Sequence, residues 1–180
     1  KRQPYGRGTL NFTLPAGMRG DLVESQVMPP LADPERAIQE ALAHPLGSAP
    51  LRQRVKAGDR VCIIFTDATR ASPDHLLIPA LLRELEAGGV RSADITLICG
   101  VGMHRPSTLE EKVEKLGPEV VARYRVLDHA ACEPANLVDL GVTESGIPLS
   151  VNRIAYDADM LIATGLVEPH QYAGYSGGRK

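Results

Sequence analysis

Polar side chains of the types that bind anions and transfer protons occur in three groups, each placed after an apolar run. The groups are Asp67, Thr69 and Arg70, then His104 and Arg105, then Glu168 and His170. If the apolar runs are parallel strands, their carboxyl ends meet at one edge of a sheet, where ligands bind in open α/β folds. We therefore expect the three groups to converge on one crevice.

His104 and His170 are the candidate general acid and base. An imidazole titrates near neutral pH and can donate or accept a proton, so two histidines that arrive from different loops could serve as an acid/base pair. Taken singly, each histidine could equally well hydrogen-bond its own loop, but their joint placement at strand ends favours catalysis. His44 and His75 are predicted to lie on the surface, and His129 is ambiguous.

Arg70 carries a planar guanidinium that can bind a carboxylate or a phosphate through two parallel hydrogen bonds. Asp67 could orient either Arg70 or a histidine. The alternative interpretation is an internal ion pair that only stiffens the loop. The two interpretations are compatible.

The glycine-rich stretch that ends the sequence could bind a phosphate, because Ser176-Gly177-Gly178 would expose backbone N–H groups at a helix start. It lacks the GxxxxGK[ST] pattern, and Gly100-Val101-Gly102 has Arg105 where a third glycine belongs, so ATP and NAD are weakly supported. Lys180 could neutralise a phosphate or act as an amine for covalent attachment. The residues alone leave both roles open.

The elements that position these groups are predicted to alternate between strand and helix. Apolar runs predict strands at 61–65, 95–99, 124–127 and 159–164, and helical spacing predicts helices at 73–86 and from residue 107 or 108. Such alternation favours a mostly parallel sheet covered on both faces. The predicted fold class is α/β, a Rossmann-like, mostly parallel sheet with helices on both faces.

Three further segments complete the prediction. Alternating residues at 8–14, a turn at 15–17 and a second run at 22–24 predict an N-terminal β-hairpin. Asp33 and Pro34 are typical of a helix start and predict a short helix over 33–42. The segment 133–147 has the character of a loop.

Composition excludes several classes of protein. The 180 residues suit one α/β domain, with or without a small appendage. The formal net charge is -2, and Lys and Arg are not clustered with aromatic residues, which argues against a nucleic-acid partner. No apolar run approaches the roughly 20 residues of a membrane span, and the first residues do not form a signal peptide, so a cytoplasmic protein is expected. The three scattered cysteines predict neither disulfides nor a cysteine zinc site.

Three motifs resemble the signature stretches of the nickel-pincer-nucleotide lactate racemases and their relatives. They are DATR at 67–70 followed by Pro73, GMHRP at 102–106, and EPHQYAGYSGGRK at 168–180. The final stretch is the specific one, since D-x-T-R or G-x-H-R alone would be weak. The resemblance runs from the N-terminal hairpin to the last residue.

That resemblance implies a cofactor and roles for residues. In the family a pyridinium mononucleotide holds nickel through a ring carbon and two sulfur-containing arms, and a thioamide joins it to the lysine of S-G-G-R-K, which is Lys180 here. His104 and His170 correspond to the acid/base pair. The residues expected at the cofactor and substrate pocket, besides Lys180, are Asp67, Thr69, Arg70, Ser176, Gly177 and Gly178.

The mechanism implied by the resemblance is hydride removal and return. One histidine removes the hydroxyl proton of a 2-hydroxy acid while hydride moves to the cofactor, and the resulting keto acid then receives hydride on its opposite face. Arg70 would hold the substrate carboxylate during that step. The protein supplies position and protons, and the cofactor supplies the hydride chemistry.

The resemblance also implies that residues 1–180 are the N-terminal catalytic and cofactor-binding domain of a two-domain protein. A nickel-ligating histidine and a second domain are expected downstream, so the isolated chain should be an incomplete enzyme. Cofactor-biosynthesis enzymes are expected partners. Two alternatives stay open: a same-cofactor enzyme with a reaction other than racemisation, and a nucleotide- or metal-binding module without catalysis.

Overall fold

The computed structural model describes residues 2–21, 26 and 28–177. The chain divides into two compact units, residues 1–32 and residues 33–180. The strands are β1 Arg2–Tyr5, β2 Gly8–Asn11, β3 Val61–Phe65, β4 Ile95–Cys99, β5 Arg125–Asp128, β6 Leu137–Val142, β7 Pro148–Asn152, β8 Met160–Ala163, β9 Glu168–His170 and β10 Gly174–Ser176. The α-helices are α1 Pro34–Ala43, α2 Leu51–Arg54, α3 Asp74–Ala87, α4 Leu109–Leu116, α5 Pro118–Arg123 and α6 Arg153–Tyr156, and short 3-10 turns occupy Ser92–Asp94 and Pro134–Asn136.

The first unit contains an N-terminal β-hairpin, as predicted, but its strands pair differently. β1 and β2 are antiparallel around a turn at Gly6, whose φ of 57° lies in the left-handed region that glycine adopts without penalty. The alternating run at 8–14 therefore pairs with the residues before it. The turn at 15–17 is present, since the Met18 N–H donates to the Pro15 carbonyl at 3.1 Å, whereas the run at 22–24 lies outside the described residues.

The second unit is built on a four-stranded parallel sheet with the order β5-β4-β3-β8. The predicted strands at 61–65 and 95–99 have the observed bounds, and those at 124–127 and 159–164 each differ by one residue at both ends. Tyr124 caps α5 instead of starting β5, because its N–H donates to the Val120 carbonyl at 3.0 Å. The α/β prediction is confirmed.

Helices lie on both faces of the sheet, which also confirms the prediction. On one face, strand residues including Ile63 and Leu97 pack against Ile78, Leu82 and Leu85 of α3 in the main apolar core. On the other face, α6 lines a cavity together with sheet residues of β4 and β5. The return connection from β5 to β8 crosses that second face, as the right-handedness of parallel crossovers requires.

The helix starts follow from capping chemistry. The Asp33 carboxylate accepts the Arg36 N–H at 2.9 Å and starts α1. At α4, the Thr108 hydroxyl accepts the Glu111 N–H while the Glu111 carboxylate accepts the Thr108 N–H, a reciprocal capping box. The predicted helices at 33–42, 73–86 and from 107 or 108 are thus confirmed, with small differences at their ends.

The prediction of a loop at 133–147 was wrong for residues 134–142, which form a short 3-10 turn and a strand. Residues 137–142 of this segment form β6, which pairs with β7 as an antiparallel hairpin closed by Gly146 at φ 79°. Both strands are largely exposed and a bulge interrupts their register. The alternation of apolar and polar residues that would have marked them is therefore missing.

Candidate functional site

The carboxyl ends of β3, β4 and β8 carry loops that line two adjoining clefts, which we call the crevice. The larger cleft, of about 600 Å³, contains Asp67 and His104. The smaller, of about 230 Å³, contains Glu168, His170, Ser176 and Gly177. Both clefts are also lined by Thr66, Arg70 and Thr164. The structure therefore places residues from all three predicted groups along one edge of the sheet.

His104 is oriented by a buried carboxylate. Its Nδ1 lies 2.6 Å from the Asp67 Oδ2, while Asp67 is 8% exposed and the imidazole is about half exposed. Hydrogen positions follow from the network: Nδ1 donates to the carboxylate, so the neutral ring has an unprotonated Nε2. The sequence left open whether Asp67 orients Arg70 or a histidine, and in the structure it is hydrogen-bonded to His104.

Asp67 is itself held as an anion. Its Oδ1 accepts the Thr69 N–H at 2.8 Å and the Thr69 hydroxyl at 2.5 Å. Burial alone would raise the pKa of the Asp67 carboxyl, but the hydrogen bonds from Thr69 and His104 outweigh it and lower that pKa below its ordinary value. Because the pKa of Asp67 is lower in the folded state than in the unfolded state, its ionisation stabilises the fold at pH values above the unfolded-state pKa. This stabilisation is lost as the pH falls through the folded-state pKa.

His170 has the opposite hydrogen-bonding pattern. It ends β9, and its Nδ1 accepts the backbone N–H groups of Tyr172 and Ala173, both at 3.2 Å. The neutral ring must then carry its proton on Nε2. The neutral His104 thus has an accepting Nε2 and the neutral His170 a donating Nε2–H, so the two rings present complementary hydrogen-bonding groups.

The two arginines near the crevice differ in how strongly they are bound to neighbouring carboxylates. The Arg70 guanidinium is about half exposed and lies 4.0 Å from the Glu168 carboxylate, a separation that contributes little stability. Arg105, which the sequence placed beside His104, instead forms two hydrogen bonds with the Glu111 carboxylate at 2.8 and 2.6 Å. These bonds, together with the hydrogen bond from the Thr108 N–H, lower the pKa of Glu111 to about 2. Arg70 is therefore the arginine better placed to meet a ligand.

The end of the described chain is a hairpin of β9 and β10, in which Ser176 pairs with Glu168. The Ser176 hydroxyl donates to the Glu168 carbonyl at 3.4 Å. Gly177 follows at φ 83°, and a Cβ on it would clash with the Leu166 carbonyl oxygen. The predicted cofactor residues Gly178 and Lys180 lie outside the described residues.

We expect Gly177→Ala to open the β9–β10 hairpin. A left-handed backbone costs an alanine about 1–2 kcal/mol, and the clash with Leu166 adds to that cost. Amide exchange over residues 166–177 should rise more than about 30-fold. Gly174→Ala is the matched control, because Gly174 has φ 75° in the same hairpin with open space around it. Equal exchange in the two variants would contradict the close approach to Leu166.

Sequence reasoning missed residues that lie at the site or behind it. Thr66 and Thr164 line both clefts, and their positions directly after β3 and β8 were the available signal. Asp74 and Lys115 form a buried ion pair behind the loop after β3. No local pattern marks that pair, because an acidic residue in the first turn of a helix also suits the helix dipole.

The remaining predictions concern histidines, cysteines and membrane spans. His44 and His75 are exposed as predicted, and the ambiguous His129 is hydrogen-bonded by Asn152 at 3.2 Å. Cys62 and Cys99 are buried in strands. Among the described residues, no group of three or more potential side-chain ligands could hold a metal ion. None of the described helices has the length and apolar character needed to cross a bilayer.

Comparison with known proteins settles the family. The model of the lactate racemase N-terminal domain matches residues 5–180. The chain belongs to the lactate racemase N-terminal domain family. Two curated lactate racemases are related to it. One, from Lactiplantibacillus plantarum, is 36% identical over 81% of this chain, and the other, from Thermoanaerobacterium thermosaccharolyticum, is 32% identical over 98%.

Solved structures agree with this membership. The lactate racemase apoprotein from Thermoanaerobacterium thermosaccharolyticum superposes over 99% of this chain with a TM-score of 0.85 at 32% identity, which covers 41% of that chain. A protein from Thermotoga maritima superposes over 80% of this chain with a TM-score of 0.62 at 28% identity, which covers 36% of that chain. The lactate racemase family member described here thus spans well under half the length of these relatives: the matches cover 34% and 42% of the two curated sequences.

Proposed function

We propose that the complete protein is a racemase or epimerase of a lactate-type 2-hydroxy acid, with His104 and His170 as its acid/base pair. The observation that carries this proposal is the complementary hydrogen bonding of the two rings: Asp67 accepts from Nδ1 of His104, whereas backbone N–H groups donate to Nδ1 of His170. The two histidines line adjoining clefts that share Arg70. Membership of the lactate racemase family supports the same reaction.

The residues divide the work as their contacts suggest. The unprotonated Nε2 of His104 accepts the hydroxyl proton of one enantiomer, and Asp67 stabilises the imidazolium that forms. His170 takes up a proton from solvent, returns a proton from Nε2 of the resulting imidazolium to the hydroxyl oxygen of the other enantiomer and is left neutral, while His104 releases its proton to solvent. In the reverse direction the two rings exchange roles, as microscopic reversibility requires. Arg70 binds the substrate carboxylate and keeps the reacting carbon in place between proton transfers.

The crevice also fits the nucleotide cofactor that the sequence implies. Ser176 lines the smaller cleft, and its hydroxyl makes only a long hydrogen bond of 3.4 Å to the Glu168 carbonyl, so it can turn to donate to a phosphate. The absence of a side chain on Gly177 lets the backbone pass close to Leu166, and Lys180 follows three residues later. We propose Lys180 as the tether of a nickel-pincer nucleotide, with Asp67, Thr69, Ser176, Gly177 and Gly178 contributing to its pocket.

When bound, that cofactor supplies the acceptor and donor of hydride at the substrate carbon. The protein's own residues hold the substrate, move the hydroxyl proton and position Lys180. No described group of side chains makes a metal site by itself, so we propose that the nickel ligands come from the cofactor and from a histidine elsewhere in the complete protein. Loading would require the cofactor-biosynthesis enzymes as partners.

The experiment that tests the proposal combines mass spectrometry with a stereochemical assay. The complete protein is produced with the cofactor-making enzymes, alongside a known lactate racemase as control. We expect a peptide adduct on Lys180 and conversion of either pure lactate enantiomer into the other. Lys180→Ala should lose both the adduct and the activity.

Two results would contradict the proposal. An unmodified Lys180 beside a modified control would remove the tether, and would favour a binding module or a relative that works without this cofactor. A modified Lys180 with turnover of 2-hydroxy acids but no inversion would leave the tether in place and replace racemisation by another reaction of the same cofactor.

A further inference from the structure

A buried ion pair lies directly behind the loop that carries Arg70. Asp74, in the first turn of α3, is fully buried, and the Lys115 side chain, near the end of α4, is 11% exposed. The Lys115 Nζ lies 3.3 Å from the Asp74 Oδ2. Removing both charges from water is unfavourable unless good geometry and further hydrogen bonds offset the lost hydration.

Those further hydrogen bonds all go to one loop. The Lys115 Nζ donates to the carbonyls of Arg70 at 2.7 Å and Ser72 at 3.0 Å. The Asp74 carboxylate accepts the Thr66 hydroxyl at 2.7 Å and the Ser72 hydroxyl at 3.2 Å. The pair therefore holds the loop from Thr66 to Ser72 by hydrogen bonds at both of its ends.

The same loop forms the shared wall of the crevice, because Thr66 and Arg70 line both clefts. The Arg70 guanidinium is about half exposed, and its ion-pair partner Glu168 lies at the 4.0 Å limit of such a contact. Side-chain contacts thus do little to place the guanidinium. Its position depends on the backbone of Arg70, whose carbonyl is the one that Lys115 holds.

We propose that Lys115 and Asp74 are positioning residues that hold the Arg70 loop in its ligand-binding conformation. They act through the backbone and lie behind the loop, so they are distinct from the residues that meet the ligand. The anchoring itself is independent of the reaction. Its consequence for binding a 2-hydroxy carboxylate rests on the function proposed above.

Lys115→Met tests the anchoring, since it removes the three N–H donors and keeps most of the aliphatic chain. We expect amide exchange over residues 66–72 to rise at least about tenfold, with little change in α3 beyond its first turn. Lys112→Met is the matched control: Lys112 lies one turn earlier on α4, is 17% exposed and pairs with Asp128 at 2.8 Å. That control should leave exchange over 66–72 unchanged.

Kinetics of the cofactor-loaded complete protein provide a second readout. Lys115→Met should raise KM for the hydroxy acid about 10-fold to 100-fold, because a displaced Arg70 meets the carboxylate poorly. Lys112→Met should change KM less than about twofold. If the role of Lys115 were purely structural, Lys115→Met would lower thermal stability, but its exchange over 66–72 and its KM would be the same as those of Lys112→Met.

The outcomes separate the two proposals. Unchanged exchange over 66–72 in a folded Lys115→Met variant would overturn the anchoring, whatever the activity. Increased exchange in a protein whose wild type inverts no 2-hydroxy acid would uphold the anchoring and overturn the proposed function. If Lys115→Met fails to fold, Asp74→Asn/Lys115→Met carries the test, because it leaves no unpaired buried charge.

Discussion

In the complete, cofactor-loaded protein we expect alanine at either His104 or His170 to lower kcat for the proposed inversion of lactate by roughly 10²–10⁴-fold, the range that one positioned acid/base group contributes. Both directions of the reaction should fall together, because each turnover uses both rings. The adduct on Lys180 should persist in both variants, since neither ring is part of the proposed tether. Chiral chromatography of the product and mass spectrometry of the protein give the two measurements.

The control for this experiment is His44→Ala. His44 is exposed at the end of α1, where its N–H donates to the Glu40 carbonyl at 3.0 Å, and it lines neither cleft of the crevice. We expect its kcat to stay within about twofold of the wild type. Unchanged turnover in His104→Ala or His170→Ala, with the adduct present, would remove that residue from the acid/base pair.

Asp67→Asn should reduce kcat by about 10³-fold, although it changes one atom and little volume. The carboxylate accepts the Nδ1–H of His104 at 2.6 Å and so leaves Nε2 as the base. An amide NH₂ at this position can donate to Nδ1 instead, which places the ring proton on Nε2, and an asparagine cannot stabilise the imidazolium. The variant should retain the fold, and KM should change less than kcat.

Asp159→Asn is the matched control for Asp67→Asn. Asp159 is also a carboxylate whose pKa is lowered, in its case by hydrogen bonds from the Arg60 backbone and side chain. It precedes β8, at the edge of the sheet opposite the crevice. Its replacement by asparagine should leave kcat within about twofold of the wild-type value. Equal losses in the two variants would show that Asp67 matters through general stability and not through His104.

The hydrogen bonding of the two histidines shows how far sequence reasoning reached. The identity of the acid/base candidates followed from residue type and from their positions after apolar runs. The sequence left Asp67 with two possible partners, and the fold selects His104, 37 residues further along the chain. The role of His170 Nδ1 as a hydrogen-bond acceptor depends on the backbone conformation of Tyr172 and Ala173, whose N–H groups donate to it. No pattern of residue types specifies that conformation.

Local rules account for what was predicted well. Buried strands such as β3 and β4 are apolar runs, and helix starts such as Asp33 and Thr108 depend on hydrogen bonds within a few residues. The exposed hairpin of β6 and β7 was missed for the same reason, since strands with little burial carry little periodicity.

The sequence by itself determined the α/β class, the main strands and helices, and the set of polar residues at the strand ends, because these depend on short-range periodicity and capping. The tertiary structure alone decided the strand order β5-β4-β3-β8, the pairing of Asp67 with His104, and the burial of Asp74 against Lys115. Such contacts join residues tens of positions apart. They exist because crossovers bring distant segments together, and no local residue pattern records which segments those are.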